Sequence, residues 1–137
     1  MAYSNFYARL HSGAQELTSA FGSVFRFYPS RFYLPAGFLW QILAWWQAWF
    51  IFHNLTGDLL VLHYTVDFGV DLASDPSRIF LYPLFGLVVW FAALVVAAIF
   101  YRHRDFKIIT HLLLGVSVVF GAFLSLALLA IYLINFF

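Results

Sequence analysis

The chain contains no cysteine. That absence excludes disulfides, iron–sulfur clusters and cysteine-ligated zinc, and it leaves the redox compartment unmarked. Charge is almost as scarce. Asp, Glu, Lys and Arg make up 9% of the 137 residues, against roughly 25% in an average soluble domain. Three stretches have none of these four residue types: 26 residues between Arg31 and Asp58, 23 between Arg78 and Arg102, and the 30 that follow Lys107. No acidic or basic residue therefore falls at mid-depth of any apolar stretch, which argues against proton relays, voltage sensors and ion-coupled transporters. The first 30 residues also lack a continuous apolar run ending in a small-residue cleavage site, being interrupted by Arg9, Glu16 and Arg26. No cleavable signal peptide is expected, and membrane insertion falls to the apolar stretches themselves.

What the chain has is apolar and aromatic surface. Its hydrophobic fraction is 64%, with 18 Phe, 8 Tyr and 5 Trp, more than a soluble fold of this length can hide. Each charge-free stretch exceeds the ~20 residues that a helix needs to cross a hydrocarbon core of ~30 Å. Lipid offers no hydrogen bonds to the backbone, so helices are predicted over 35–55, 78–101 and 109–134. The net charge of +1 says little as a total, but its distribution sets an orientation. Arg9, Arg26 and Arg31 precede the first span, and Arg102, Arg104 and Lys107 join the second to the third. The link between the first two carries Asp58, Asp67, Asp71 and Asp75 against a lone Arg78. Six of the seven basic residues share one side, which the positive-inside rule assigns to the cytoplasm, placing the N-terminus inside and the C-terminus outside.

Local signals refine the ends. Ser74-Asp75-Pro76 reads as a helix start, with Asp75 as cap and Pro76 in the first turn, and Pro83 predicts a kink early in the second span. Upstream, Tyr3, Tyr7, Leu10, Ala14, Leu17, Phe21, Val24 and Tyr28 recur at three- and four-residue steps. This is one stripe of a helix that Pro29 ends. It reads either as an amphipathic helix in the inner headgroup region or as a helix packed on a neighbour. The predicted architecture is thus an all-α integral membrane protein of three transmembrane helices. An amphipathic segment, 1–31, precedes a membrane domain, 32–137, with an outer loop at 56–77 and an inner loop at 102–108.

The outer link is the most patterned polar piece. Leu60, Leu62, Tyr64, Val66, Phe68, Val70 and Leu72 take one parity, and His63, Thr65, Asp67, Gly69 and Asp71 the other. This alternation predicts an extended strand with one wet face. Unless it turns near Asp67–Gly69 into a short hairpin, the strand needs a partner outside the chain, with Leu62, Tyr64, Val66 and Phe68 as its contacts. The rival reading takes His63, Asp67 and Asp71 at four-residue steps as metal ligands on a helix. On a strand, successive members stand about 13 Å apart, too far to share one ion.

Other candidates are sparser. His53 and His111 fall at opposite ends of their spans and cannot share one haem iron within a monomer, although two copies of His53 could across a dimer. Trp45, Trp46 and Trp49 lie deeper than an interfacial belt would place them. Gln41 and Gln47 are expected to bond between helices. Ser117, Gly121 and Ser125 on the third span, and Ala93 and Ala97 on the second, predict close helix packing.

The motif LHYTVDFGVDL followed by LYPLFGLVVWF resembles small three-span membrane proteins of uncultivated, reduced-genome bacteria. The likeness covers about residues 60–137. It implies a bacterial inner membrane and a three-span layout, and it transfers no functional residue. The residues favour a non-enzymatic accessory or scaffold subunit of a membrane assembly. Its partners would be the lipid bilayer and a second copy or other membrane subunits, with no nucleic acid and no cofactor. The alternatives are a small haem- or lipid-binding protein, with His53 and the Trp-rich first span as its site, and a holin-like membrane-perforating protein.

Overall fold

The computed structural model describes residues 2–55, 57, 59–65 and 69–137, with side chains described outside 2–10, 63–65 and 69–73. The elements in chain order are α1 (Ala2–Arg26), α2 (Ser30–Asn54), β1 (Leu60–Thr65), β2 (Gly69–Ser74), a 3-10 turn (Pro76–Phe80), α3 (Leu81–Ile99) and α4 (Phe106–Phe136). Two stretches, Pro76–Ile99 and Phe106–Phe136, are long and apolar enough to cross a bilayer.

Proline sets the helix junctions. The residue before a proline avoids the α region, and α1 ends three residues short of Pro29. The Pro29 carbonyl then accepts the amides of Phe32 and Tyr33 at 3.0 and 3.1 Å and opens α2. Helix α2 therefore starts at Ser30 and not at the expected 35, and Pro35 lies inside it. Without an N–H there, the Arg31 carbonyl loses its helical partner, which is tolerable one turn from a charged, polar end. At the start of the next helix, Asp75 Oδ1 accepts the Ser77 amide at 2.8 Å, and Pro76 takes the first position. These bonds, first from the Ser77 hydroxyl and then from its amide, hold the Asp75 carboxyl below its ordinary value. The cap is thus complete above that value and is lost as pH falls through the depressed one. Pro83 is the third residue of α3 and buried. The helix runs on from the 3-10 turn without a gap, so the Ile79 carbonyl has no amide four residues on, and the change from 3-10 to α geometry falls just before Pro83.

The outer segment finds its partner within the chain. Strands β1 and β2 form an antiparallel hairpin with Leu60 opposite Ser74 and Thr65 opposite Gly69, irregular at His63. The expectation of a lone strand needing an outside partner is therefore corrected. Its free edge is met by α4: Asn135 Oδ1 accepts the Val61 amide at 2.9 Å, and Asn135 Nδ2 donates to the Val61 carbonyl at 2.8 Å. At the start of β1 Leu60 is fully buried and Leu62 packs against the same core.

Helix α4 lies between α2 and α3, and the interior divides into two apolar clusters. At the hairpin end Ala44, Ala48 and Ile51 of α2 meet Leu60, Ile79, Leu124, Leu128 and Ile131. At the other end Ala20 and Val24 of α1 meet Ala93, Leu94, Ala97 and Ala98 of α3 and Leu114 of α4. Helix α1 thus packs on a neighbour through its last turns. It uses only part of the expected stripe, because Leu17 and Tyr28 are exposed.

Between the two clusters the three long helices meet at a waist built on glycine. A Cβ on Gly37 would lie 2.4 Å from the Trp90 Nε1, one on Gly86 2.7 Å from Gln41 Nε2, and one on Gly121 2.9 Å from Trp40 Cβ. Each helix supplies one hole, and a large side chain of another helix fills it. Gly115, six residues before Gly121, is different: its nearest neighbour would be Tyr33 at 3.9 Å, an ordinary contact. Alanine gains ~1 kcal/mol over glycine in a helix, whereas overpacking costs ~1–3 kcal/mol. Trp40 Cβ is fixed to its backbone, so relief at position 121 requires the helices to part. Gly121→Ala is expected to lower the thermal unfolding temperature in detergent while Gly115→Ala leaves it unchanged or raises it. Equal responses would show that Gly121 is not in contact.

Candidate functional site

The second helix is built inside out. Its buried positions are Ser30, Gly37, Gln41, Ala44, Ala48 and Ile51, small or polar residues but for the last. Its outward face carries Phe38, Leu39, Ile42, Trp45, Trp46 and Trp49, all exposed. The three- and four-residue steps of helical geometry place each set on one side. Small inward residues let α2 come close to α3 and α4, and the same register turns its largest side chains away from the bundle.

The inward face makes two kinds of polar contact. Gln47 Oε1 accepts the Ser125 hydroxyl at 2.8 Å, joining α2 to α4 as the sequence predicted. Toward the other end, the Tyr33 hydroxyl lies 3.1 Å from His111 Nδ1, with the rings edge-on. Between these pairs, Gln41 Oε1 and the Trp90 indole N–H have no hydrogen-bond partner among the described residues. The same holds for the hydroxyls of Ser30 and Thr110 near the Tyr33 end. An unpaired buried polar group costs about 1–3 kcal/mol. The waist itself holds no acid, base or histidine, so it can donate and accept hydrogen bonds but cannot move a proton.

On the outward face the indoles make ring contacts along one side. Trp45 stacks on Phe80 at 6.1 Å, Trp46 lies 5.7 Å from Phe50, and Trp49 lies 4.4 Å from His53. None of the three indole N–H groups has a hydrogen bond within the described residues. Beside them a groove of about 300 Å³ between α2 and α4 is lined by Trp46, Gln47, Phe50, Ile51, Leu128, Leu129 and Tyr132.

The residues singled out from sequence separate into those brought together and those kept apart. Gly121 and Ser125 face α2, against Trp40 and Gln47. Ser117 is buried and donates to Leu114 of its own helix at 2.8 Å. Ala93 and Ala97 pack where α1, α3 and α4 meet, with Ala20, Val24 and Leu114, and Ala93 lines one cleft with Ser117. His53, at the hairpin end of α2, shares its ring nitrogen Nδ1 with the Trp49 carbonyl at 3.2 Å, at the opposite end of the bundle from His111. Of the metal candidates, Asp67 lies outside the described residues, and so do the side chains of His63 and Asp71. The backbone at 63 and 71 is strand, so the helical spacing that would align them is absent. Val66 and Phe68 also lie outside the described residues, as does the side chain of Tyr64. Leu62, the remaining strand contact, is turned to the core.

Gly37, Gly86 and Trp90 were not anticipated from sequence. Their signal is a glycine followed four residues later by a bulky hydrogen-bonding side chain, Gly37 to Gln41 and Gly86 to Trp90. On antiparallel helices this spacing sets each glycine opposite the other helix's knob.

The two glutamines are expected to respond oppositely to removal of their amides. Gln47→Leu strands the Ser125 hydroxyl and should destabilise the bundle by ~0.6–2 kcal/mol. Gln41→Leu removes a carbonyl with no partner and should be neutral or stabilising. Thermal unfolding in detergent checks the order, and a larger loss from Gln41→Leu would contradict it. The geometry alone supports these assignments, for no family model, curated protein or solved structure matches the chain.

Proposed function

We propose that this chain is a three-span, non-enzymatic subunit of a larger membrane assembly, which docks its partner through the outward face of α2. Three spans are supported by the course of α2. Its 25 residues reach about 37 Å, and it follows α4 from Tyr33 beside His111, through Trp40 at Gly121 and Gln47 at Ser125, to Phe50 near Tyr132. A helix coextensive with two membrane-crossing helices crosses with them. The orientation follows from the basic residues. Arg26, Arg31, Arg102, Arg104 and Lys107 gather at one end and Arg78 stands at the other, so the positive-inside rule puts the N-terminus in the cytoplasm and the C-terminus outside. In this reading the membrane is a bacterial inner membrane, as the resemblance noted from sequence implies.

The outward tryptophans carry the functional reading. Helix α2 is not among the two stretches apolar enough to cross a bilayer by composition alone, yet it presents its largest aromatic residues away from the bundle. An indole N–H in hydrocarbon has no acceptor, and each unsatisfied group there is costly. Another protein supplies both acceptors and a surface for the rings, and tryptophan is enriched at the centres of such interfaces. The occupant is a membrane helix of a second copy or of a different subunit. The hairpin is the lesser candidate for this contact, since β1 pairs with β2 and Val61 with Asn135.

Replacing Trp46 and Trp49 together by Leu keeps the face apolar while removing two indoles. Blue-native electrophoresis in mild detergent should show the wild-type chain in a complex larger than a monomer. The double variant should run smaller by at least one subunit, with its thermal unfolding within a few degrees of wild type. A wild-type monomer without a companion, or a complex unchanged in the variant, would contradict the proposal.

A further inference from the structure

The end of the bundle opposite the hairpin carries a notch that neither the packing nor the α2 face explains. It has a volume of about 520 Å³ and is lined by Ser23, Arg26, Phe27, Tyr28, Phe106 and Lys107. Two separate parts of the chain make it: the last turn of α1 with the link that follows, and the first turn of α4. The rings of Phe27 and Phe106, 6.1 Å apart, bring the two parts together. Arg26 and Lys107 therefore stand on either side of one cleft.

Three observations give the notch an anion-binding character. First, neither cation has a carboxylate partner among the described residues, whereas the neighbouring Arg102 is paired with Glu16 at 3.4 Å. Second, the carboxylate nearest Lys107 in sequence, Asp105, does not line the notch. Third, no side chain caps the N-terminus of α4. The positive dipole end of a 31-residue helix thus adds to the two cations, an arrangement that favours phosphate groups. The wall is as informative as the charges. Tyr28, 67% exposed, and the two phenylalanines make an apolar, aromatic border, which a fully hydrated ion would not use.

We propose that this notch binds the phosphate headgroup of an anionic phospholipid, with Arg26 and Lys107 on the phosphate and the aromatic border against the glycerol and upper acyl chains. A basic cleft at the end of a helical bundle sits at headgroup depth, where each cation near an anionic surface strengthens attraction by about 1 kcal/mol. The lipid clamps the end of α1 to the start of α4, so its binding stabilises the packing of α1 on the bundle. This site is separate from the tryptophan face of α2, and it is measured on the isolated chain in detergent, whatever the fate of the partner proposal.

The test is thermal unfolding of the full chain in detergent at 0.15 M salt, with added short-chain phosphatidylglycerol, phosphatidylcholine or inorganic phosphate. Phosphatidylglycerol is expected to raise the unfolding temperature in a saturable manner, and the other two to leave it nearly unchanged. In the Arg26→Gln, Lys107→Gln double variant the apparent affinity for phosphatidylglycerol should fall about thirtyfold. Arg104→Gln, which removes one positive charge from the same end but outside the notch, should retain most of it. An equal rise with phosphatidylcholine, an equal rise with inorganic phosphate, or an equal loss in Arg104→Gln would each overturn the proposal. Should the double variant unfold before titration, native mass spectrometry of the wild-type chain decides instead. One retained phosphatidylglycerol, in preference to phosphatidylcholine from an equimolar mixture, supports the site, and no preference refutes it.

Discussion

Everything in this bundle depends on the meeting of three helices at one level, where each gives up a side chain. Gly37, Gly86 and Gly121 leave the holes, and Trp90, Gln41 and Trp40 fill them. Lipid tails are as apolar as the helix surfaces, so burial alone drives association weakly in a membrane, and close packing has to do more of the work. A glycine hole gives that packing a register. Once Trp90 sits over Gly37, Gln41 must sit over Gly86, because both pairs are one helical turn apart on antiparallel helices. The apolar clusters above and below then assemble from residues that the waist has already brought face to face.

The same register determines what faces outward. With Gly37, Gln41, Ala44 and Ala48 committed to the interior, Trp45, Trp46 and Trp49 have nowhere to go but away from it. A membrane protein with no partner gains little from this arrangement, since the indole N–H groups reach no acceptor in hydrocarbon. The hairpin follows the opposite logic. Its backbone groups are met in turn by the opposing strand and by Asn135, leaving the edge next to the bundle closed. At the hairpin the Val61 amide and carbonyl are met by Asn135, whereas Trp45, Trp46 and Trp49 are turned away from the bundle.

Much of this was legible in the residues. Charge-free runs marked the apolar helices, and the 3-10 turn starts at Pro76 behind an Asp75 cap as the tripeptide signalled. The alternation of the outer segment marked it as extended, but Leu62, expected to meet an outside partner, packs on the chain's own core with Leu60. Other features were not legible, for identifiable reasons. Whether β1 pairs with β2 depends on a turn whose one clear signal is Gly69, and a single strand with alternating parity reads the same up to that point. The start of α2 was placed late because Pro35 resembles a first-turn proline, while Pro29 and Ser30 form the actual junction. Small residues announce close packing without naming the partner: Ala93 and Ala97 pack against both α1 and α4, and Gly121 serves Trp40. What fills a glycine hole lies on another helix, and only the three-dimensional register reveals it.

The central claim, that α2 runs beside α4 as a third helix of one bundle, can be measured directly because the chain has no native cysteine. Gln47→Cys and Ser125→Cys place two thiols where the native side chains hydrogen-bond at 2.8 Å. Leu39→Cys, on the outward face, combined with Ser125→Cys gives the control. A short thiol-to-thiol crosslinker applied to native membranes should join the first pair within one chain and leave the second unjoined. Crosslinks that form only between chains, or equally in both pairs, would show that α2 does not pack on α4 as described.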